Sequence, residues 1–196
     1  WKDYEIIDAS RGQKLERWKD VYLLRPDPQI VWDNGDLLEK YHSMINAVYY
    51  RSNKGGGHWE NLRSTPGSWC VNYKDLTFNI KQMGFKHTGL FPEQAVNWDI
   101  MSEKIKKSGR EIRVLNLFAY TGGATVACLK AGAHVTHVDS SRGMIDWCKE
   151  NVKSSKVDET KVRLEEYKEK ITYIHSNFAS FEEELLKLGI TEVDGI

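Results

Sequence analysis

The chain has 196 residues, of which 40% are hydrophobic and 29% charged, enough for one large domain or two small ones with a real core. Its 28 basic residues balance 28 acidic ones, which argues against a dedicated nucleic-acid binder with a large electrostatic footprint and leaves room for a local basic patch. No apolar run approaches the roughly 18 residues that span a bilayer, and Trp1-Lys2-Asp3-Tyr4 has neither the apolar stretch nor the cleavage site of a signal peptide, so an intracellular, cytoplasmic setting is expected.

The first half reads as β-rich. Val21–Leu24 and Gln29–Trp32 are short strand candidates on either side of a Pro-x-Pro break. Ser52–His58 holds three consecutive glycines and predicts a loop. Arg51, Lys54, His58, Trp59 and Arg63 cluster around it, and basic residues beside aromatics suit a phosphate backbone and a stacked base. Trp69–Tyr73 and Leu76–Ile80 alternate at period 2 around Lys74-Asp75, which predicts a hairpin with a two-residue connection.

All four prolines and six of the seven tryptophans precede residue 100. That shift predicts a β-rich N-terminal unit over 1–90 and a second unit over 91–196. In the second, Arg113–Phe118 reads as a strand, Ala124–Ala131 as a helix closed by Gly132, and Val135–Val138 as a strand. Ser141–Val152 follows as a helix with Met144, Ile145, Cys148 and Val152 on one face. Between Lys153 and Lys170, 11 of 18 residues are charged, which predicts a solvated helix extension or loop. Ile171–His175 is the next strand candidate, Phe181–Leu188 a helix stopped by Gly189, and Val193–Ile196 the start of a fourth strand. Strands alternating with helices predict a parallel α/β sheet with right-handed crossovers. Cys70, Cys128 and Cys148 are widely spaced and odd in number, so they are read as reduced, buried small hydrophobes, with no zinc site or other metal.

The chemistry concentrates where the first strand of the second unit ends. Asn116-Leu117-Phe118-Ala119-Tyr120-Thr121-Gly122-Gly123 runs from a strand through a glycine turn into a helix N-terminus. Glycines let a ligand approach the backbone, and the free N–H groups of a helix start attract anionic groups. Asp139 ends the next strand, where a carboxylate can accept both hydroxyls of a ribose. A dinucleotide fingerprint would need a third glycine, and a P-loop would need Gly-Lys-Ser/Thr; neither is present. The pattern therefore fits a nucleoside cofactor without phosphate, S-adenosylmethionine, better than a nicotinamide dinucleotide.

Val114–Gly123 with Val138-Asp139-Ser140-Ser141 resembles the first two motifs of the bacterial large-subunit ribosomal RNA (cytosine-5) methyltransferases and their relatives. Phe85–Gln94 is similar to that family's Lys-Thr-Gly-Phe-Phe-x-x-Gln stretch. The resemblance covers about residues 69–196. It implies a class I methyltransferase: a Rossmann-like doubly wound sheet, its C-terminal part missing here, preceded by the β-rich unit. It also implies that S-adenosyl-L-methionine contacts Asn116, Phe118, Ala119, Tyr120, Thr121, Gly122, Gly123, Asp139 and Ser140. In relatives the third strand ends in an acidic residue facing the adenine amino group; here that place is held by Ser176 or Asn177, with Phe178 following as a further contact, and Lys86, Thr88, Phe91 and Gln94 would contribute from the other side. Residues 1–68 do not look like the RNA-binding module of the family's best-known members.

The expected activity is methyl transfer, with ribosomal RNA as the leading acceptor and RNA binding as a consequence. The alternatives are a small-molecule or protein acceptor, or a cofactor-binding fragment without turnover. No catalytic residue is assigned: none of the three cysteines matches the family's nucleophile, which follows an Asp-Pro-Pro motif beyond the fourth strand. The chain alone is accordingly expected to be catalytically silent.

Overall fold

The structure, a computed structural model, describes residues 1–53 and 55–166. The chain divides into two compact units, Trp1–Pro92 and Glu93–Ile196.

Tight turns set the architecture of the first unit. Strands β1 (Tyr4–Ser10), β2 (Gln13–Trp18) and β3 (Val21–Pro26) form an antiparallel meander. Arg11 (φ 47°) and Gly12 (φ 73°) make the first turn, both left-handed, as a two-residue hairpin that follows strand twist requires. After β3 the chain passes through helix α1 (Leu37–Tyr41), whose Asp36 caps the Glu39 N–H at 3.0 Å. It returns as β4 (Ala47–Arg51), parallel to β3, and β5 (Gly57–Asn61) pairs antiparallel with β4. The sheet order is β1-β2-β3-β4-β5. Leu15, Leu24, Leu37, Ile45 and Val48 form the core beneath α1. Full burial of each such side chain stabilises by roughly 1.5–3 kcal/mol. A separate hairpin, β6 (Trp69–Tyr73) with β7 (Leu76–Ile80), turns at Lys74 (φ 53°) in the register expected from its alternation.

Two segments differ from expectation. Gln29–Trp32 forms no strand: the carbonyls of Ile30 and Trp32 accept from the N–H groups of Gly12 and Arg11 at 2.7 and 2.9 Å, so the segment lies along the β1–β2 turn. The glycine loop is shorter than expected, because Gly57 and His58 pair with Arg51 and Tyr50 in the ladder.

In the second unit, helix α2 (Ala95–Lys107) precedes β8 (Arg113–Leu117), α3 (Gly123–Lys130), β9 (His134–Asp139), α4 (Arg142–Ser154) and β10 (Val162–Glu166). The three strands are parallel in the order β10-β9-β8, so both crossovers advance the same way and bring α3 and α4 onto one face. Gly132, at φ 106°, ends α3 with the paired N–H bonds of a left-handed helix stop. Ile145, Cys148 and Val152 are buried on α4 as expected, and Met144 is half-buried. The charged run after Lys153 is neither a long helix nor a loop throughout. It turns after α4 and supplies β10, whose Val162 and Leu164 pair with Val135 and His137 of β9. The segments expected as strands at Ile171–His175 and Val193–Ile196, and as a helix at Phe181–Leu188, lie outside the described residues. Among the described residues, no helix is long and apolar enough to cross a membrane and no His/Cys/Asp/Glu cluster could hold a metal ion.

Candidate cofactor site

The loop between β8 and α3 is held in a conformation that ordinary side chains avoid. Phe118 (φ 52°) and Tyr120 (φ 54°) are both left-handed, as is Gly122 (φ 83°). Non-glycine residues in that region cost of order 1–3 kcal/mol each, and they persist where the surroundings over-determine them. Here they do. Ala119 N–H donates to the Val138 carbonyl at 3.1 Å, and Gly122 N–H to the Ala119 carbonyl at 3.0 Å. Tyr120 N–H donates to Asp139 Oδ2 at 2.8 Å, while Asp139 Oδ1 accepts from Ser141 N–H at 2.9 Å. One carboxylate thus clamps the loop to the start of α4. Each of its oxygens keeps a further lone pair for a ligand hydroxyl.

Both glycines are required by close approach. A Cβ on Gly122 would overlap the Cys148 sulfur and lie 3.2 Å from its Cβ. A Cβ on Gly123 would lie 2.7 Å from Trp98 Cζ2. α3 begins without a side-chain cap, so its first N–H donors are left for a ligand or solvent.

Beneath the loop runs a buried polar chain that the sequence did not announce. Asn116 Nδ2 donates to Thr125 Oγ1 at 2.9 Å, and Thr125 Oγ1 lies 3.0 Å from His137 Nδ1. Cys148 Sγ lies 3.4 Å from the same nitrogen, and Asn151 Nδ2 donates to the Thr121 carbonyl at 2.8 Å. His137 is fully buried and its Nε2 has no partner among the described residues. Burial pushes its imidazole down to about 4, so the ring is neutral near pH 7, with Asp139 pulling weakly the other way. Burial likewise pushes the Cys148 and Cys128 thiols up to about 12 and 11, which leaves them inert. A histidine between Thr136 and Val138 of a strand, two residues before Asp139, was the one sequence signal for this chain of contacts.

The predicted residues therefore separate. Asn116, Ala119, Thr121, Gly122, Gly123 and Asp139 come together with Phe118, Tyr120 and Ser140 around the ends of β8 and β9. Within that group Asn116 is bonded to Thr125 and acts as loop support, whereas Phe118 and Ser140 are exposed. Gln94 stands at the start of α2, accepting from Asn97 Nδ2 at 2.9 Å. Lys86, Thr88 and Phe91 belong to the first unit. Phe91 meets His87 edge to face at 5.3 Å, and Thr88 is buried with its hydroxyl unpartnered among the described residues. Asn177 and Phe178 lie outside the described residues, as does Lys54 of the glycine-loop cluster.

No family model matches the chain. A ribosomal RNA large subunit methyltransferase K/L of Shewanella oneidensis is 43% identical over 111 residues, 56% of this chain and 15% of that protein. The corresponding protein of Colwellia psychrerythraea is 31% identical over 106 residues, 54% of this chain and 14% of that protein. In structure, the chain is similar to a SAM-dependent methyltransferase from Agrobacterium tumefaciens, with a TM-score of 0.80 and 31% identity over 93% of this chain. It spans 56% of that protein, and so about half its length. The fold is that of a class I methyltransferase, seen here in part.

Proposed function

We infer from this likeness that the chain is the cofactor-binding part of an S-adenosylmethionine-dependent methyltransferase, and that the acceptor of the whole enzyme is ribosomal RNA. The observation that carries the reading is the Asp139 carboxylate at the end of β9, fixed by the N–H groups of Tyr120 and Ser141 beside a strained glycine loop. That arrangement offers acceptors to a ribose and backbone donors to a carboxylate. Phe118, exposed beside the loop, provides an apolar face for the adenosyl or methionine part. The bound cofactor supplies an electrophilic methyl group. The residues here bind and orient it: Asp139 and Ser140 at the ribose, and the Ala119–Gly123 backbone at the amino-acid end.

Calorimetric titration tests the cofactor. S-adenosylhomocysteine is expected to bind at least tenfold more tightly than NAD, and tighter binding of NAD would overturn the choice. The acceptor is tested by transfer of a labelled methyl group from S-adenosylmethionine by the whole enzyme. Unmodified ribosomal RNA is expected to be labelled, and labelling of protein or small molecules in its place would redirect the reading.

A further inference from the structure

Four cations of the first unit lie toward one end of its sheet. Lys14, near the start of β2, stands directly opposite Arg25 on β3. β4 runs parallel to β3, pairing Leu23 with Ala47 and Leu24 with Val48, so Arg51, the last residue of β4, lies at the same end of the sheet as the end of β3. Lys86 Nζ donates to the Pro26 carbonyl at 3.4 Å, and Arg25 holds the Lys86 carbonyl at 2.7 Å. Lys14, Arg25 and Lys86 thus lie around two carboxylates, Glu16 and Asp27, with Arg51 at the same end of the sheet.

Those carboxylates are already engaged. Glu16, fully buried, accepts from Arg25 at 2.5 Å and from Tyr4 at 2.7 Å, with Lys14 at 3.4 Å. Asp27 faces Lys14 at 3.3 Å. Lys86, half-buried, has only a backbone carbonyl, and the exposed Arg51 side chain makes no ion pair or hydrogen bond among the described residues. Partial burial and the neighbouring Arg51, Arg25 and Lys14 push the Lys86 ammonium below its ordinary value, against the pull of Asp27. An anion from outside would relieve this excess. On the next rung of the ladder Tyr50 and His58 place their rings 5.7 Å apart on the opposite face of the sheet from Arg51, with Tyr50 packed against the core beneath α1.

The other members of the glycine-loop cluster are scaffold. Arg63 donates to the carbonyls of His42 and Ile45, and Trp59 donates to the Met83 carbonyl and packs on Tyr49. We propose that Arg51 and Lys86, steadied by Lys14 and Arg25 at the end of β2–β4, bind phosphate groups of a single-stranded RNA segment. The proposal rests on the reading that the acceptor is RNA, and it assigns Lys86 to that strand rather than to the cofactor. Geometry favours a phosphate backbone over a lone anion because the cations are spread across β2, β3 and β4 and the segment holding Lys86.

The test is fluorescence anisotropy of a labelled single-stranded RNA 12-mer with this chain across a salt series. Replacing Arg51 by Ala and Lys86 by Met together should lower the slope of log affinity against log salt by about 1.4, at about 0.7 per lost phosphate contact on a single strand. The charge-keeping pair Arg51→Lys with Lys86→Arg should restore most of the slope, which separates charge from folding. Replacing Lys104 and Lys106 of α2 by Ala should leave the slope unchanged. An unaltered slope in the first pair, an equal loss in the α2 pair, or no RNA binding by the unmodified chain at low salt would each overturn the surface. Titration of S-adenosylhomocysteine on the same samples distinguishes the two readings. Cofactor binding without the slope change defeats only the surface, and the slope change without cofactor binding defeats only the methyltransferase.

Discussion

Replacing Gly122 by alanine should destabilise the second unit through two separable effects. Its φ of 83° places the new side chain in the left-handed region, at a cost of about 1–2 kcal/mol. The added Cβ would also overlap the Cys148 sulfur, 3.2 Å from that residue's Cβ and 3.5 Å from His137 Cε1. Overpacking of this kind costs typically about 1–3 kcal/mol, so the expected loss is roughly 2–5 kcal/mol. Urea unfolding of the unmodified chain, Gly122→Ala, Cys148→Ala and the double variant separates the terms. Removing the sulfur relieves the overlap and leaves the backbone strain. The double variant should therefore be more stable than the sum of the single losses predicts, by about 1 kcal/mol or more. A Gly122→Ala protein as stable as the original, or strict additivity, would refute the packing described for the loop.

Stability should also fall as pH drops from about 6.5 to about 4, because the unfolded chain takes up a proton that buried His137 refuses. The full effect is up to about 3 kcal/mol, and His137→Asn should flatten that part of the unfolding-versus-pH curve. Asp8 is held down to about 2 by its hydrogen bonds from Lys40 and then Tyr41. Its contribution is present above about pH 4 and lost toward pH 2. Asp8→Asn should cost about 1 kcal/mol at neutral pH, Lys40 being half-exposed and screened. Arg25→Met should cost about 3–5 kcal/mol by chemical unfolding, since it strands the Glu16 carboxylate in the core.

The second unit was the more legible because its signals are local. Leu115 and Val135 mark buried strands, Gly132 stops a helix at positive φ, and the Gly122-Gly123 pair sits where two side chains crowd the backbone. The β6–β7 hairpin was legible for the same reason, through alternation around a short turn. What escaped depended on tertiary pairing. The β1–β2 hairpin turns at Arg11-Gly12, where an arginine takes the left-handed conformation usually left to asparagine or glycine, and its buried Glu16 is polar until Arg25 meets it. Gln29–Trp32 has strand-forming residues, but its carbonyls serve the β1–β2 turn. β10 is charged because it stands at the edge of the described sheet, where Arg163 pairs with Glu165 on its own strand. Helix α2 went unread, although Ala95 and Trp98 are buried on it. At the site, the loop and Asp139 were evident as a motif. The supporting His137, Thr125, Cys148 and Asn151 were not, since their partners come from different elements.

The most direct test of the cofactor assignment is calorimetric titration of S-adenosylhomocysteine into the unmodified chain and into Asp139→Ala, with urea unfolding confirming that both are folded. Loss of a charge-assisted acceptor should cost about 1.5–3 kcal/mol of binding, roughly tenfold or more in affinity. Equal affinity in the two proteins would contradict the placement of the ribose at Asp139.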